Sequence, residues 1–342
     1  MRVKTRMTSA KRTVTVRGSG VAALTAARLL DIQGWNVRLE GGTSVRRLHL
    51  LLSETTANLL EALWNDSTLL AGAHPIHERA VQWGRTSGFE VVPAVGTAIG
   101  ADELVKRLAT RLHLTAVSVD AEDEGSWIVD ARAGSPETGN KTAPMRAFGR
   151  RHAWVSPAVL RAGSRADRCM MEAVESGWIF LLPVGNRRAI LQFVSFPSSV
   201  ASHLSDELLA ETRTIRSVVD SIGAWSDPIA CMPRAMLAPA SAGRIAIGEA
   251  ALSFDPISGD GVGHALRGVV LAVTILQEIA DGMPIAERLN SYASTLHRAM
   301  VHHLTTCLSL YREAPYGDGW REELCAMQAG VALLTGKAVV AS

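Results

Sequence analysis

The sequence predicts an α/β protein built from two interleaved subdomains and a C-terminal helical region. Three observations support this prediction. Residues 13–40 read as strand, helix and strand, the middle of the chain has strand-like alternation, and an α/β pattern returns near residue 245. Two helical stretches, roughly 285–312 and 319–336, finish the chain. At 342 residues the chain is long enough to bury one large core or two closely packed ones.

Composition favours an ordinary globular protein over a disordered or fibrous one. Hydrophobic residues make up 47% and charged residues 20% of the chain. The formal net charge of +2 is too small to indicate a nucleic-acid or membrane partner. We find no run near the roughly 18 apolar residues of a membrane span, and the four cysteines lack metal-ligand spacing. We therefore expect a cytoplasmic protein that binds no metal.

The first strand-helix-strand unit has clear boundaries. Val14 and Val16 alternate with threonines in the first strand, and apolar residues then recur at helical spacing over 21–32. Gly34 stops that helix, and the second strand ends at Glu40. Parallel strands need such a crossover helix, so this unit is expected to start a parallel sheet.

A Gly-x-Gly-x-x-Ala fingerprint joins the first strand to the helix. Gly18 allows a tight turn, Gly20 leaves room for a pyrophosphate to approach the backbone, and Ala23 lets the helix pack closely on the strand. The free N–H groups at the helix start, around Val21 and Ala22, favour phosphate binding. These features predict a Rossmann-like, three-layer dinucleotide-binding domain.

Charged residues follow the second strand. Glu40, 22 residues after Gly18, suits the ribose hydroxyls of an adenine dinucleotide, and Gly41 continues this contact region. Arg46 or Arg47 is a candidate to neutralise a phosphate, although each fits equally well as a surface arginine.

A second glycine-rich junction between a strand and a helix lies more than 200 residues later, over 245–263. Two such junctions favour one long ligand that is contacted at two points, and FAD is longer than the first domain alone can cover. Gly248 ends the strand, and Glu249 can accept hydrogen bonds from ribitol hydroxyls. A purely structural glycine-rich loop is the alternative interpretation.

The rest of this second junction is expected to hold the flavin ring. Asp255-Pro256 fixes a turn, and the following glycines let backbone N–H groups approach the ring. The positive end of the next helix would face the N1–C2=O edge of the flavin, which becomes negative on reduction. The expected ring contacts are Gly259, Gly261, Val262 and Gly263.

Together the two junctions resemble the flavoprotein monooxygenases related to p-hydroxybenzoate hydroxylase. Their second motif is similar to GEAALSFDPISGDGVG, except that Glu249 stands where that family generally has Asp. The segment GWIFLLPVGNRRAILQFV resembles the Gly-Trp hairpin of the tryptophan-halogenase branch. FDPISGDGVGHAL and the late LSLYREAPYGDGWRE are most similar to the maturation flavoproteins of quinone-cofactor enzymes such as lysine oxidases, which act on a peptidyl tryptophan. The resemblance covers about residues 13–322.

The resemblance implies an FAD-dependent monooxygenase that hydroxylates an aromatic ring through a flavin C4a-hydroperoxide. Its substrate would be a small aromatic molecule or a tryptophan on a client protein. NAD(P)H would visit the flavin transiently, or a reductase partner would supply electrons, because the sequence has no second dinucleotide fingerprint. His264 is the candidate catalytic residue, placed to hydrogen-bond near the ring or the peroxide. Halogenation is not expected, because the sequence lacks a Trp-x-Trp-x-Ile-Pro segment and we cannot place the halogenase lysine.

Two other functions remain open at this point. An alkene reductase or dehydrogenase similar to geranylgeranyl reductases uses the same two FAD motifs and needs a long apolar tunnel. A non-catalytic FAD-binding maturation chaperone is compatible with Glu249 and with the short chain.

The remaining elements are predicted from local patterns. We expect a helix capped by Ser53, a helix over 102–112, a strand near 114–120, a hairpin that turns at Gly185-Asn186, and a helix over 205–222. The predicted FAD-binding domain comprises 13–70, 101–150 and 240–282, the substrate domain comprises 71–100 and 151–239, and the C-terminal helical region comprises 283–342.

Overall fold

The computed structural model describes residues 12–41, 48–84, 89–114, 126–132, 145–196, 206–314 and 317–336. The helices are α1 (Val21–Ile32), α2 (Glu54–Trp64), α3 (Ala101–Arg111), α4 (Asp206–Glu211), α5 (Ile215–Val218), α6 (Gly261–Ala280), α7 (Ile285–Arg312) and α8 (Asp318–Thr335). The strands are β1 (Thr13–Arg17), β2 (Asn36–Glu40), β3 (His49–Ser53), β4 (His74–Gln82), β5 (Glu90–Gly100), β6 (Trp127–Asp130), β7 (Met145–Ala147), β8 (His152–Leu160), β9 (Arg168–Val174), β10 (Gly177–Gly185), β11 (Arg188–Ser195), β12 (Val219–Ile222), β13 (Ile229–Ala230), β14 (Arg234–Met236), β15 (Ala240–Ser241), β16 (Arg244–Ala246) and β17 (Leu252–Ser253).

The first sheet has five strands in the order β15-β16-β6-β1-β2. β1 pairs in parallel with both β2 and β6, and β16 pairs in parallel with β6. Val14 and Val16 are fully buried in β1, because their side chains face a core that α1 and α6 cover. The carboxyl ends of β1 and β16 therefore lie at the same edge of the sheet, which is where ligands bind in open α/β sheets.

The second sheet has nine strands, with β12-β8-β11-β10-β9-β4-β5-β3 in order and β13 beside β8. Its pairs are antiparallel apart from β4 with β9. Because side chains alternate along a strand, each face carries its own apolar set. Leu181 and Phe193 face a cluster that also contains Leu208 of α4 and Ile215 of α5. The other face is turned toward the first sheet and the C-terminal helices. A small third sheet, β17-β14-β7, joins the two parts.

Two sheets combine strands from different predicted domain segments. β3 lies inside the predicted segment 13–70 but pairs antiparallel with β5 of the second sheet, and the third sheet joins β7 of segment 101–150 to β14 of segment 151–239. The first and second sheets are thus interleaved along the chain, as the sequence indicated, and the domain boundaries themselves stay a prediction.

Most local predictions are confirmed. β1, α1 and β2 occupy 13–40, and α2 begins after Ser53, whose hydroxyl accepts a hydrogen bond from the Thr56 backbone N–H. The β10–β11 hairpin turns at Asn186 and Arg187, which have φ angles of 52° and 59°. The predicted strand near 114–120 and most of the turn-rich segment 132–145 lie outside the described residues.

The prediction of a continuous helix over 205–222 is wrong. The chain instead forms α4, α5 and then β12, which pairs with β8. The buried carboxylate of Glu172 on β9 accepts hydrogen bonds from the backbone N–H groups of Arg213, Thr214 and Ile215. In a continuous helix, those N–H groups would donate to backbone carbonyls of the preceding turn. The contact with Glu172 therefore ends α4, although the local sequence contains no helix-terminating residue there.

Among the described helices, α6 is long and apolar enough to cross a membrane by length and composition alone. Arg267 and Glu278 interrupt it, so it contains no unbroken apolar run of about 18 residues. Its buried residues include Leu266, Val269 and Leu276, and it contacts α1, α2 and α7. A core helix that is covered on several sides needs such a composition.

Candidate active site

The first glycine-rich turn has the geometry of a phosphate-binding turn. Gly18 has a φ angle of +132°, and a Cβ there would lie 3.3 Å from Ala131. A Cβ on Gly20 would meet nothing within 4 Å, so the space beside Gly20 is open to a ligand. Gly20 is also the N-cap of α1 and has no side chain with which to cap it. The N–H groups at the start of α1, from Val21 to Ala23, therefore remain available to phosphate oxygens.

Glu40 lies at the carboxyl end of β2, beside this turn. Its Oε2 atom accepts a hydrogen bond from Arg17 Nε at 2.8 Å, and its Oε1 atom lies 3.6 Å from Arg38 Nη2. These two contacts hold the carboxylate at the sheet edge, where the adenine ribose was expected. Gly41 follows with open space around its Cβ position. Arg46 and Arg47 lie outside the described residues.

The second junction contacts the first one directly. Gly248 follows β16 with a φ angle of +56°, and a Cβ there would lie only 2.9 Å from the Ala22 Cβ of α1. Only glycine combines this backbone conformation with such a close approach. Glu249 is exposed next to it. The two motifs that the sequence separates by more than 200 residues thus form one continuous edge.

The Asp-Pro turn has the predicted form. Asp255 Oδ1 accepts a hydrogen bond from the Ile257 backbone N–H at 3.0 Å, and Pro256 opens a short 3₁₀ turn. Gly259 ends that turn with a φ angle of +63°. This turn places the start of α6 beside the second sheet.

The glycines at the start of α6 have two different roles. Gly261 has open space around its Cβ position and is suited to a close ligand approach. A Cβ on Gly263 would lie 2.1 Å from Asp260 Oδ1 and 2.5 Å from Thr56 Oγ1. These two atoms are themselves hydrogen-bonded at 2.6 Å. Gly263 therefore meets a packing requirement between α6 and α2.

A cavity of about 260 Å³ lies between the second junction and the inner face of the second sheet. The junction contributes residues on both sides of the Asp-Pro turn, and the sheet contributes apolar and aromatic side chains. The junction side comprises Glu249, Ser253, Phe254, Asp255, Pro256, Ile257, Gly259, Gly261 and Val262, and the sheet side includes Met171, Trp178, Phe180 and Leu182. A flavin ring that lies on this junction would face a substrate that lies on the sheet.

His264 lies one turn into α6 and packs beside the cavity. Its ring stacks on Phe254 with a centroid distance of 4.0 Å, and its Nε2 atom lies 3.9 Å from Asp260 Oδ2. Burial lowers the pKa of His264. Phe254 lines the cavity, whereas His264 is not among the described residues that line it. The catalytic role of His264 stays a prediction.

A buried ion cluster beneath the Asp-Pro turn was missed by the sequence analysis. The fully buried Arg151 guanidinium has Nη1 at 2.6 Å from Asp255 Oδ2 and Nε at 3.1 Å from Glu323 Oε2. The Tyr311 hydroxyl donates a hydrogen bond to Asp255 Oδ2 at 2.9 Å, and Trp178 Nε1 donates to that hydroxyl at 3.3 Å. The cluster thus connects β8, α7 and α8 to the floor of the cavity.

Burial and the neighbouring charges determine the protonation states in this cluster. Burial alone would lower the pKa of Arg151, but the facing Asp255, Tyr311 and Glu323 groups raise it. Burial raises the pKa of Tyr311 well above its ordinary value. Burial also raises the pKa of Glu323, and the positive charge of Arg151 partly offsets this increase. Arg151 therefore stays protonated and Tyr311 stays a neutral donor at every physiological pH.

His303 of α7 packs beside the cluster and serves as a neutral hydrogen-bond acceptor. Its Nε2 atom accepts a hydrogen bond from the Asp255 backbone N–H at 2.8 Å and lies 3.4 Å from Cys307 Sγ. Burial lowers the pKa of His303 from 6.5 to about 4. The neutral ring thus fixes the backbone at the start of the Asp-Pro turn.

Acidification is expected to destabilise the protein through His303. The unfolded chain takes up a proton near pH 6.5, whereas the folded protein does so only near pH 4, so stability falls as the pH drops through that window. The loss at pH 5 is about 2 kcal/mol relative to pH 7. Urea unfolding at the two pH values measures it.

The substitution His303→Gln isolates this contribution. Glutamine keeps an oxygen acceptor and does not titrate, so the variant should lose less stability between pH 7 and pH 5 than the wild type loses. The exposed His113, just after α3, serves as the control, and the pH dependence should be retained in His113→Gln. Equal pH dependence in the wild type and His303→Gln would contradict the assignment.

Two further residues that the sequence analysis missed line the cavity. Arg79 belongs to β4 and Arg234 to β14, and both side chains line the cavity. Neither residue belongs to a recognisable sequence motif. Their strands are distant in the sequence and reach the same cavity only in the folded protein.

Comparison of the sequence with protein-family models and with curated proteins gives no match. Solved structures do match. CmlS, described as a flavin-dependent halogenase, has a TM-score of 0.79 at 16% identity over 92% of this chain and 68% of its own. The myxobacterial chondrochloren halogenase CndH, described as a new variant of FAD-dependent halogenases, has a TM-score of 0.72 at 14% identity over 96% of this chain and 91% of its own.

A hydroxylating protein shares the same architecture. The peptidyl tryptophan dihydroxylase QhpG, described as essential for tryptophylquinone cofactor biogenesis, has a TM-score of 0.69 at 15% identity. The match covers 92% of this chain and 79% of QhpG. The chain therefore has the mixed α/β fold of these flavin-dependent halogenases and of this dihydroxylase, and its C-terminal part contains the helices α7 and α8.

Proposed function

We propose that this protein is an FAD-dependent oxidoreductase that hydroxylates an aromatic substrate. The observation that carries the proposal is the contact between Gly248 and Ala22, which joins the two glycine-rich junctions into one edge that leads into the cavity. The fold shared with flavin-dependent halogenases supports the same cofactor.

The residues present fit FAD at its pyrophosphate, adenine ribose, ribitol and ring. The open space at Gly20 and the uncapped start of α1 suit the pyrophosphate, and Glu40 suits the adenine ribose. Glu249 suits the ribitol, and the open space at Gly261 suits the ring. Bound FAD would supply the redox chemistry and the activation of O₂ that no side chain can provide.

The residues of the chain would position the reactants and shield them from water. The N-terminus of α6 presents its positive end to the cavity and stabilises negative charge there. Trp178 and Phe180 form an apolar aromatic wall that can hold an aromatic ring and exclude water. The ion cluster of Arg151, Asp255 and Glu323 keeps the Asp-Pro turn rigid beneath both.

Hydroxylation is favoured over halogenation by the cavity lining. The lining residues in the described part of the chain include no lysine, and the sequence offers no placeable halogenase lysine. Halogenation is the second candidate, because several of the matching structures are halogenases. A small aromatic molecule or a tryptophan on a client protein remains the proposed substrate class.

The first test is the visible spectrum of the purified protein, followed by anaerobic addition of NADH or NADPH. We expect flavin bands that bleach on reduction. A protein that stays colourless after incubation with FAD would overturn the proposal. A yellow protein that neither nucleotide reduces would assign the electron supply to a reductase partner.

The second test separates hydroxylation from halogenation. Photoreduced protein is exposed to O₂ with indole or a tryptophan peptide, in buffers with and without chloride and bromide. Mass spectrometry should show the gain of an oxygen atom that does not depend on halide. Gain of a halogen atom instead would assign the second candidate.

A further inference from the structure

Two cationic side chains, Arg79 and Arg234, line the cavity without a carboxylate partner among the described residues. The Nε atoms of Arg79 and Arg234 are both buried and have no hydrogen-bond partner among the described residues. Arg79 does interact with the Cys169 thiol, which is a weak partner for a guanidinium. Neither arginine forms an ion pair with a described carboxylate, whereas Arg151 nearby has two.

The fixed charges around the cavity leave these two arginines without counterions. Asp255 lines the cavity, but its carboxylate is already satisfied by Arg151 and by the Tyr311 hydroxyl. Glu249 is exposed and can be solvated by water. His49 also lines the cavity, and burial lowers its pKa, so it stays neutral near pH 7. The described lining is therefore electropositive in its interior.

Both arginines are half-buried with a buried Nε atom, and a guanidinium that lines a cavity without a carboxylate partner is expected to attract an anion there. Guanidinium groups suit carboxylates, because their planar donors match the two carboxylate oxygens. The two arginines approach from different sheets, since β4 belongs to the second sheet and β14 to the third. An anion held by both arginines would therefore contact strands of two different sheets.

The phosphates of FAD are not this anion. The phosphates would bind at the first junction, formed by Gly18, Gly20 and Val21. None of these three is among the described residues that line the cavity. The oxidised flavin ring carries no charge. A Cβ on Gly259 would lie 3.6 Å from Arg79 Nη2, so Arg79 borders the turn on which the ring is expected to lie.

We propose that the cavity binds an aromatic carboxylate, with Arg79 and Arg234 holding the carboxylate and the wall of Trp178 and Phe180 holding the ring. This proposal deepens the proposed function, because it names an acidic aromatic as the substrate class. It predicts that a neutral peptidyl tryptophan is a poorer ligand than a free aromatic acid.

The test compares indole-3-acetate with its neutral isostere indole-3-acetamide on the FAD-loaded protein. Binding is followed by isothermal titration calorimetry. We expect the carboxylate to bind saturably and at least about tenfold more tightly than the amide. Arg79→Met and Arg234→Met should each weaken carboxylate binding about tenfold and leave amide binding unchanged.

The matched control is Arg161→Met. Arg161 borders a separate cavity together with Leu181, on the opposite face of the second sheet, so its loss should not affect carboxylate binding. Equal affinity for acid and amide, wild-type affinity in both cavity variants, or no saturable carboxylate binding at millimolar concentration would each overturn the proposal.

Two outcomes distinguish failure of this proposal from failure of the proposed function. If both cavity variants lose FAD but retain carboxylate binding, the arginines serve the flavin and the carboxylate assignment is overturned. If the wild type binds no FAD, the proposed function fails, while the same titrations on the FAD-free protein still decide whether the carboxylate site exists.

Discussion

Replacement of Arg151 by methionine is expected to lower the free energy of unfolding by about 3–5 kcal/mol. The substitution leaves the carboxylates of Asp255 and Glu323 buried without their shared cation. The stacking of the Arg151 guanidinium on the Tyr311 ring, 4.8 Å from the centroid, is lost as well. Urea unfolding monitored by tryptophan fluorescence measures the change.

A triple variant keeps this prediction testable if Arg151→Met alone does not fold. Combining Arg151→Met with Asp255→Asn and Glu323→Gln removes the uncompensated charges, and most of the lost stability should return. The exposed pair of Arg321 and Asp318 provides the control, and Arg321→Met should change stability little. A triple variant as unstable as Arg151→Met would show that the charges are not the cause.

Replacement of Gly20 by threonine is expected to weaken FAD binding at least about a hundredfold, or about 2.8 kcal/mol. A side chain at this position enters the open space through which the pyrophosphate must approach, and its hydroxyl would occupy the N–H groups of α1. The dissociation constant is measured by titrating the FAD-free protein with FAD and following flavin fluorescence.

The same substitution should leave the FAD-free protein as stable as the wild type. Gly20 has φ and ψ angles of −82° and 178°, an extended conformation that threonine adopts readily, and threonine is as good an N-cap as glycine. Gly268→Ala is the matched control, because its Cβ meets nothing within 4 Å in the middle of α6. That variant should gain up to about 1 kcal/mol of stability and bind FAD normally. Unchanged FAD binding in Gly20→Thr would argue against the first junction as the pyrophosphate site.

Local sequence patterns predicted the elements that short-range physics controls. The alternation of Val14 and Val16 and the Ser53 cap each act through neighbours a few residues away, and both were confirmed. The hairpin was confirmed as well, with its turn one residue later than predicted, at Asn186 and Arg187. The glycines at 18 and 248 were recognisable for the same reason, since a tight turn or a positive φ angle is a requirement of the backbone itself.

Long-range contacts decided the features that the sequence analysis missed. Glu172 ends α4 from a strand more than 30 residues earlier in the chain, and Gly263 is required by Thr56 of another helix. Arg151 reaches Asp255 and Glu323 only because β8 and α8 converge beneath the Asp-Pro turn.

The sequence by itself therefore determined the class of fold, the two glycine-rich junctions and the expected cofactor. The tertiary structure decided how these parts meet, because burial and charge compensation depend on which side chains converge in space. It brought Ala22 against Gly248 and placed Arg79 and Arg234 around one cavity. The positions of these residues in the sequence do not predict that they meet, because the free energy of a charged side chain depends on its neighbours in the folded protein.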